Sequence, residues 1–236
     1  MTSETIHRYT LLVDFLGRTL GPDYEIALHD LERGRPAIVA IANGHISGRD
    51  IGAPLTNIAM QIITERYYET HDYRLNYRGE TDNGKVLRCS TFFIKNERGA
   101  LVGLLCINFD DSRYRELSDR VFRLCHPDDY ADRNIHIDTI FSPMPEEVGE
   151  NETFYSSISA ATEHALLSVM DGRSVPPERL TQDEKLEVVG LLNQRGIFML
   201  KGAVNDVAEQ LACSPASIYR YLSRLNREKR QQPEKP

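Results

Sequence analysis

Apolar positions along the chain change period several times, and each change marks an element. In TLLVDFLGRTLG, residues 10–21, Leu12, Phe15, Leu16 and Leu20 share one stripe and Gly21-Pro22 stops the run, which predicts an amphipathic helix. EIALHDL (25–31) and AIVAIANG (37–44) are β-rich runs joined by the turn formers of ERGRP. In LTNIAMQIITERYY (55–68), Leu55, Ile58, Ala59 and Ile62 return to helical spacing. A polar, glycine-containing stretch, NYRGETDNGK, then leads into VLRCSTFFIK (86–95) and ALVGLLCINFD (100–110). These two runs flank the short NERG loop and predict a hairpin.

Further on, RELSDRVFRL (115–124) reads as a helix, and PDDYADRNIHIDTIFSPMPEEVGENE as an acidic, proline-bearing arm. TFYSSISAATEHALLSVMDG (153–172) carries a seam of Phe154, Ile158, Ala161, Ala165 and Val169, which fits either a partner helix or the chain's own domain. After VPPERL, whose Pro176-Pro177 reads as a stiff separator, come three short helical patterns. The first opens on the capping box Thr181-Gln182-Asp183-Glu184 and ends at Gly196. The second inwardly places Val204, Val207, Ala208 and Leu211. The third begins with Ser214 as N-cap and Pro215 at the first helical position. Its inward stripe is Ile218, Leu222 and Leu225. Ala216, Ser217, Arg220, Ser223, Arg224 and Arg227 face outward, with Tyr219 and Tyr221 at the edges.

Charge sharpens the reading of that last helix. The 236 residues carry a net charge of -7, but unevenly: residues 1–213 hold 22 Lys and Arg against 33 Asp and Glu, a net of -11, and residues 214–236 hold 6 against 2, a net of +4. Slim groups at the helix start and cations behind them are what a helix entering a major groove needs, to reach base edges and to meet phosphates. The local patch governs this, because screening confines the field of the acidic body to roughly 8 Å. Lys201, Ser214, Ala216, Ser217, Tyr219, Arg220, Arg224 and Arg227 are therefore the expected DNA contacts of a helix-turn-helix.

Strand, strand, helices and a terminal hairpin is the element order of a PAS domain, a small antiparallel sheet closed by helices around a ligand-sized cavity. The expected fold class is α+β: a PAS-like antiparallel sheet with helices over residues 1–115, a connecting helical and linker region over 116–177 open to a dimerising role, and an all-α helix-turn-helix domain over 178–236. Polar residues in or beside the strands are the candidate ligand contacts: His29, Asn43, His45, Tyr77, Ser90, Thr91 and Asn108, with Arg49 and Arg88 beside them.

Other function classes find little support. The four cysteines have no C-x-x-C spacing and read as reduced thiols. No phosphate loop, nucleophile elbow or H-E-x-x-H is present. His126 with Asp128 and Asp129, and His136 with Asp138, have no third ligand at a metal spacing and read as solvated charge. Haem on a PAS histidine has no residue to select it, so no cofactor and no metal are expected. The longest uncharged apolar runs are about half of a membrane span, and the first residues do not read as a signal peptide, so a cytoplasmic location is expected.

Several segments resemble the YheO family of bacterial transcriptional regulators: HDLE (29–32), IANGHISGRDIG (41–52), LRCSTFFIK (87–95), LLCINFD (104–110) and EKLEVVGLLNQRGIFMLKGAVNDVAEQLACSPASIYRYL (184–222). The resemblance implies a YheO-like PAS domain joined to a C-terminal helix-turn-helix. The expected function is therefore operator binding by a non-enzymatic regulator, a repressor before an activator, that senses a small-molecule effector and acts on double-stranded DNA as a homodimer or higher oligomer. The alternative is a PAS-type interaction module whose basic tail meets another protein or an acidic surface.

Overall fold

The computed structural model describes residues 4–32, 36–125, 151–171 and 175–231, with side chains to residue 227. The two His/Asp groups at 126–129 and 136–138 and most of the acidic arm lie outside the described residues, as do the side chains of Lys229 and Arg230.

Six strands form one sheet in the order β2-β1-β5-β4-β3-β6. They are β1 (Tyr24–Asp30), β2 (Ala37–Ala42), β3 (Tyr73–Glu80), β4 (Val86–Lys95), β5 (Leu101–Phe109) and the two-residue β6 (Glu152–Thr153). The first five pair antiparallel; β6 joins β3 in parallel, so the sheet is mixed at that edge. The hairpin of β4 and β5 is the one its residues predict. Strand β3 is an addition to the sequence reading. A bulge between Arg74 and Tyr77, with Asn76 at φ 55°, breaks its alternation and hides the strand behind polar residues.

Two layers cover the sheet. On the outer face α1 (Glu4–Leu20) buries Ile6 and Val13 against Ile26, Leu28, Ile94 and Leu105. Phe15 and Leu20, expected on its apolar stripe, are instead 60 % and 40 % exposed. The helix turns Gly17 inward, where an added Cβ would sit 2.4 Å from the Ala42 Cβ, and this close approach rolls Phe15 outward. On the inner face lie α2 (Asn57–Thr64), capped by the Thr56 hydroxyl, and the segment through Phe154 and Tyr155. Helix α3 (Ser112–Cys125) leaves β5 and buries none of its residues.

The C-terminal part is helical: α4 (Ile158–Met170), α5 (Gln182–Gln194), α6 (Ala203–Gln210) and α7 (Pro215–Gln231). The capping box forms as its residues require, with Thr181 accepting from the Glu184 amide and Glu184 accepting from the Thr181 amide. Helix α4 packs on α5 and α6. Of its seam, Ala161 and Ala165 are buried there, while Phe154 precedes the helix and sits under the sheet. The two halves share one apolar cluster, running from Ile58, Met60 and Phe93 to Val188, Leu192, Val207 and Ile218. Gly196, left-handed at φ 78°, is where they touch closely: a Cβ there would meet Thr64 Cγ2 at 2.9 Å and Met60 Cβ at 3.3 Å.

Candidate functional site

Two surfaces carry polar chemistry, one exposed and one enclosed. The exposed one is the start of α7. The α6–α7 turn is a Schellman closure: the Cys213 amide donates to the Ala208 carbonyl at 2.9 Å and the Ala212 amide to the Glu209 carbonyl at 3.0 Å, with Ala212 left-handed at φ 47°. Ser214 then caps α7, accepting from the Ser217 amide at 3.2 Å. Ile218 and Tyr221 are buried, at 0 % and 7 % exposure, and Leu222 and Leu225 are half-buried. Tyr221 thus belongs to the inward stripe and not to its edge, because it lies three residues after Ile218 and four before Leu225.

The opposite face is open. Ser214, Ala216, Tyr219, Arg220, Arg224 and Arg227 are exposed, Ser217 is half-buried, and Lys201 is exposed in the turn before α6. The Arg220 guanidinium lies 5.7 Å from the Tyr221 ring centre, and Arg224 Nη1 is 4.0 Å from Asp183 Oδ1 on α5.

The enclosed surface is the inner face of the sheet. Strand register aligns Glu25, Asn108, Cys89 and Tyr77 in one cross-strand row, Ala27, Cys106 and Thr91 in the next, and His29, Leu104 and Phe93 in a third. Glu25 is the hub. Its Oε1 accepts from Arg49 Nη2 at 2.7 Å and from Asn108 Nδ2 at 2.8 Å, and its Oε2 accepts from the Ser47 hydroxyl. Arg49 also stacks 4.6 Å from the Phe154 ring centre. Glu152 Oε1 accepts from the Thr56 hydroxyl at 2.7 Å, so the same residue that caps α2 also anchors this carboxylate. Tyr77 Oη and Thr91 Oγ1 lie 2.7 Å apart.

Burial sets the ionisation here. Desolvation, aided by the Arg49 charge, lowers the pKa of His29 to about 3. Burial opposes the charge of Arg49, yet Glu25 and Glu152 hold its pKa above the ordinary value. Burial raises Glu152 against the opposing charge of Arg49. It also raises Tyr77 and Cys89, and pushes Cys106 up to about 12, which makes both thiols poor nucleophiles. Several buried atoms have no hydrogen-bond partner among the described residues: both His29 ring nitrogens, Arg49 Nη1, Asn108 Oδ1 and Glu152 Oε2.

Of the sequence candidates, His29, Arg49, Tyr77, Thr91 and Asn108 come together on this face. Asn43 lies elsewhere, its amide donating to the Gly21 and Tyr24 carbonyls at 3.0 and 2.7 Å. His45 is exposed, and Ser90 points away from the inner face, accepting from the Asn76 amide at 3.1 Å. Glu25 and Glu152 were not anticipated. Glu25 carried a signal, since it shares strand parity with His29 in an otherwise apolar run; Glu152 is hidden by the acidic stretch before it. Among the described residues no three His, Cys, Asp or Glu side chains are grouped to hold a metal, and no helix is long and apolar enough to cross a membrane.

The chain is 25 % identical over 220 residues to the YheO protein of Escherichia coli K12, covering 93 % of this chain and 84 % of that one. It is 25 % identical over 224 residues to a protein of Haemophilus influenzae, covering 94 % and 92 %. It is 22 % identical over 223 residues to the transcriptional regulator DauR of Pseudomonas aeruginosa, covering 94 % of each chain. A helix-turn-helix domain profile matches residues 161–223, which take in α4 from its fourth residue on. The YheO-like PAS domain profile matches residues 1–126, more than half of the chain, and the chain belongs to that family.

Proposed function

We propose that the chain is a DNA-binding transcriptional regulator, acting in the cytoplasm as a homodimer, in which a small-molecule effector bound on the inner face of the PAS sheet alters how the helix-turn-helix holds an operator. The observation that carries the reading is the pairing of an enclosed polar face with an exposed cationic helix through one shared core. Helix α2 joins them physically. Its first turn is held by Thr56, which also holds Glu152, and Met60 and its last residue Thr64 abut Gly196 before α6. A ligand meeting Arg49, Asn108, His29 or Glu152 therefore acts on a helix that touches the DNA-reading module. The coupling it can exert equals its differential affinity for the two arrangements, commonly about 1–3 kcal/mol.

The role is binding and not catalysis. Repression is the simpler sign, since occupying an operator suffices for it and requires no second surface. DNA contacts are assigned to Ser214, Ala216, Ser217, Tyr219, Arg220, Arg224, Arg227 and Lys201, and effector contacts to the inner-face group. The test is to recover genomic fragments bound by the purified full chain and titrate their binding with salt. Enrichment of one palindromic site, with log affinity falling steeply and linearly against log salt, is the expected result. Equal binding to all duplexes, or none, would overturn it.

A further inference from the structure

The apolar side of α3 has no cover within the described chain. Tyr114, Leu117, Val121 and Leu124 follow one another by 3, 4 and 3 residues and are 55 %, 61 %, 53 % and 83 % exposed. The polar sides of the helix are occupied by its own charge pairs: Arg115 with Asp111, Arg120 with Glu116 and Arg123 with Asp119. A soluble monomer rarely leaves so continuous an apolar stripe in water.

We infer that this stripe is the contact between two copies of the chain, packed as a short parallel two-stranded coiled coil. The inference rests on the dimeric regulator reading for its purpose, though not for its geometry. The 3-4-3 spacing is an a-d-a-d seam, with the β-branched Val121 at a and Leu117 and Leu124 at d, the choice that favours two parallel strands. Charge selects the same occupant and orientation. The positions flanking the seam are Arg113 and Arg120 on one side and Ser118 and Cys125 on the other. In a parallel pair each arginine flank meets the partner's uncharged flank; in an antiparallel pair arginine would meet arginine. Arg113 and Arg120 are further neutralised by Asp23 and Glu116.

The seam also has a fixed bearing on its domain. Arg113 Nη1 donates to Asp23 at 3.0 and 3.2 Å, and the Tyr114 ring centre lies 5.5 Å from that of Phe109. A parallel pair therefore sets two PAS domains side by side about a two-fold axis. Fourteen helical residues span about 21 Å, and the four seam residues expose on the order of 450 Å² per copy. That is well below the roughly 800 Å² a stable interface takes from each partner. The seam alone thus gives a concentration-dependent dimer in the micromolar range.

Sedimentation of the full chain from about 1 to 100 μM should show reversible dimerisation. Leu117→Glu and Val121→Glu should each weaken it at least tenfold, with the thermal transition unchanged because both side chains are exposed. In a Cys125→Ser background, Val121→Cys should form a disulfide-linked dimer under mild oxidation, whereas Glu116→Cys, off the seam, should not. A chain that stays monomeric at 100 μM, or a dimer indifferent to both glutamates, overturns the proposal. So does a mixed cross-link between Leu117→Cys and Val121→Cys chains with none between two Val121→Cys chains, which would mark an antiparallel pair. A dimer dissolved by these variants in a protein that binds no DNA would keep the seam and refute the regulator reading; a dimer untouched by them in a protein that reads a palindrome would do the reverse.

Discussion

The inner face of the sheet and the outer face of α7 are both built from polar side chains, yet they stand at opposite ends of solvent exposure. Glu25, His29, Arg49, Asn108 and Glu152 are at most 5 % exposed; Tyr219, Arg220, Arg224 and Arg227 are exposed. The contrast separates two ways of being functional. An enclosed polar group costs several kcal/mol unless it is paired, so its neighbours are specified closely and its removal is felt by the whole fold. An exposed cation contributes little to folding and keeps its field for a partner. Mutations in the two regions should accordingly separate stability from DNA affinity.

Arg49→Met should have the largest effect on folding. It leaves the Glu25 carboxylate buried with only Asn108 and Ser47 as donors, and breaking such a pair destabilises by roughly 3–5 kcal/mol. Chemical denaturation would measure this. A loss below about 1 kcal/mol would mean that the inner face is wetter than its burial indicates.

His29 sharpens the contrast through pH. Its folded pKa of about 3 lies below the ordinary 6.5, so the unfolded chain binds the extra proton between those values and stability falls as the pH drops through that window. From pH 7 to pH 5 this one residue should remove about 2 kcal/mol. His29→Gln should flatten that slope. An equal slope in the parent and the His29→Gln protein would contradict the enclosed setting of His29.

On the other side of the comparison, Arg220→Ala and Arg224→Ala should each change stability by no more than about 0.5 kcal/mol. Each should reduce the slope of log affinity against log salt by about one if it meets a phosphate, or weaken binding by roughly 1–3 kcal/mol and relax specificity if it meets a base. Unchanged operator affinity in both variants would remove α7 as the reading helix.

The same contrast explains what the sequence disclosed. Helix α7 was legible because its information is local: an N-cap, a proline at the first position and a 3.6-residue stripe lie within one stretch of chain. The β4–β5 hairpin was legible for the same reason. The inner-face cluster is assembled from Glu25, Arg49, Asn108 and Glu152, distant in sequence and joined only by strand register and by a loop that returns across the sheet. No period reveals such an assembly. His29, Tyr77, Thr91 and Asn108 lie on strands whose alternation is visible, whereas Glu152 lies in a two-residue strand after an acidic stretch. Asn43 and Ser90 were equally conspicuous as polar strand residues, but their hydrogen bonds go to nearby backbone. Local pattern tells which residues are polar; only register tells which way they face.

The smallest effect concerns the turn that aims α7. Ala212 closes α6 in the left-handed region, at φ 47°, where the Schellman geometry ordinarily takes glycine because a Cβ crowds the following carbonyl. Both hydrogen bonds of the closure are made, so the strain is confined to one residue whose side chain is exposed and adds little packing. Ala212→Gly should relieve it. The greater freedom of glycine in the unfolded chain offsets part of the gain, which leaves a net stabilisation of about 0.5 kcal/mol. Thermal denaturation of the full chain against the Arg220→Ala protein would place the two side by side. The glycine variant should melt slightly higher with operator affinity retained, and the arginine variant should melt at the parent temperature with affinity reduced. A fall in stability on Ala212→Gly would show that the left-handed turn is not strained and that the angle between α6 and α7 is set by their packing instead.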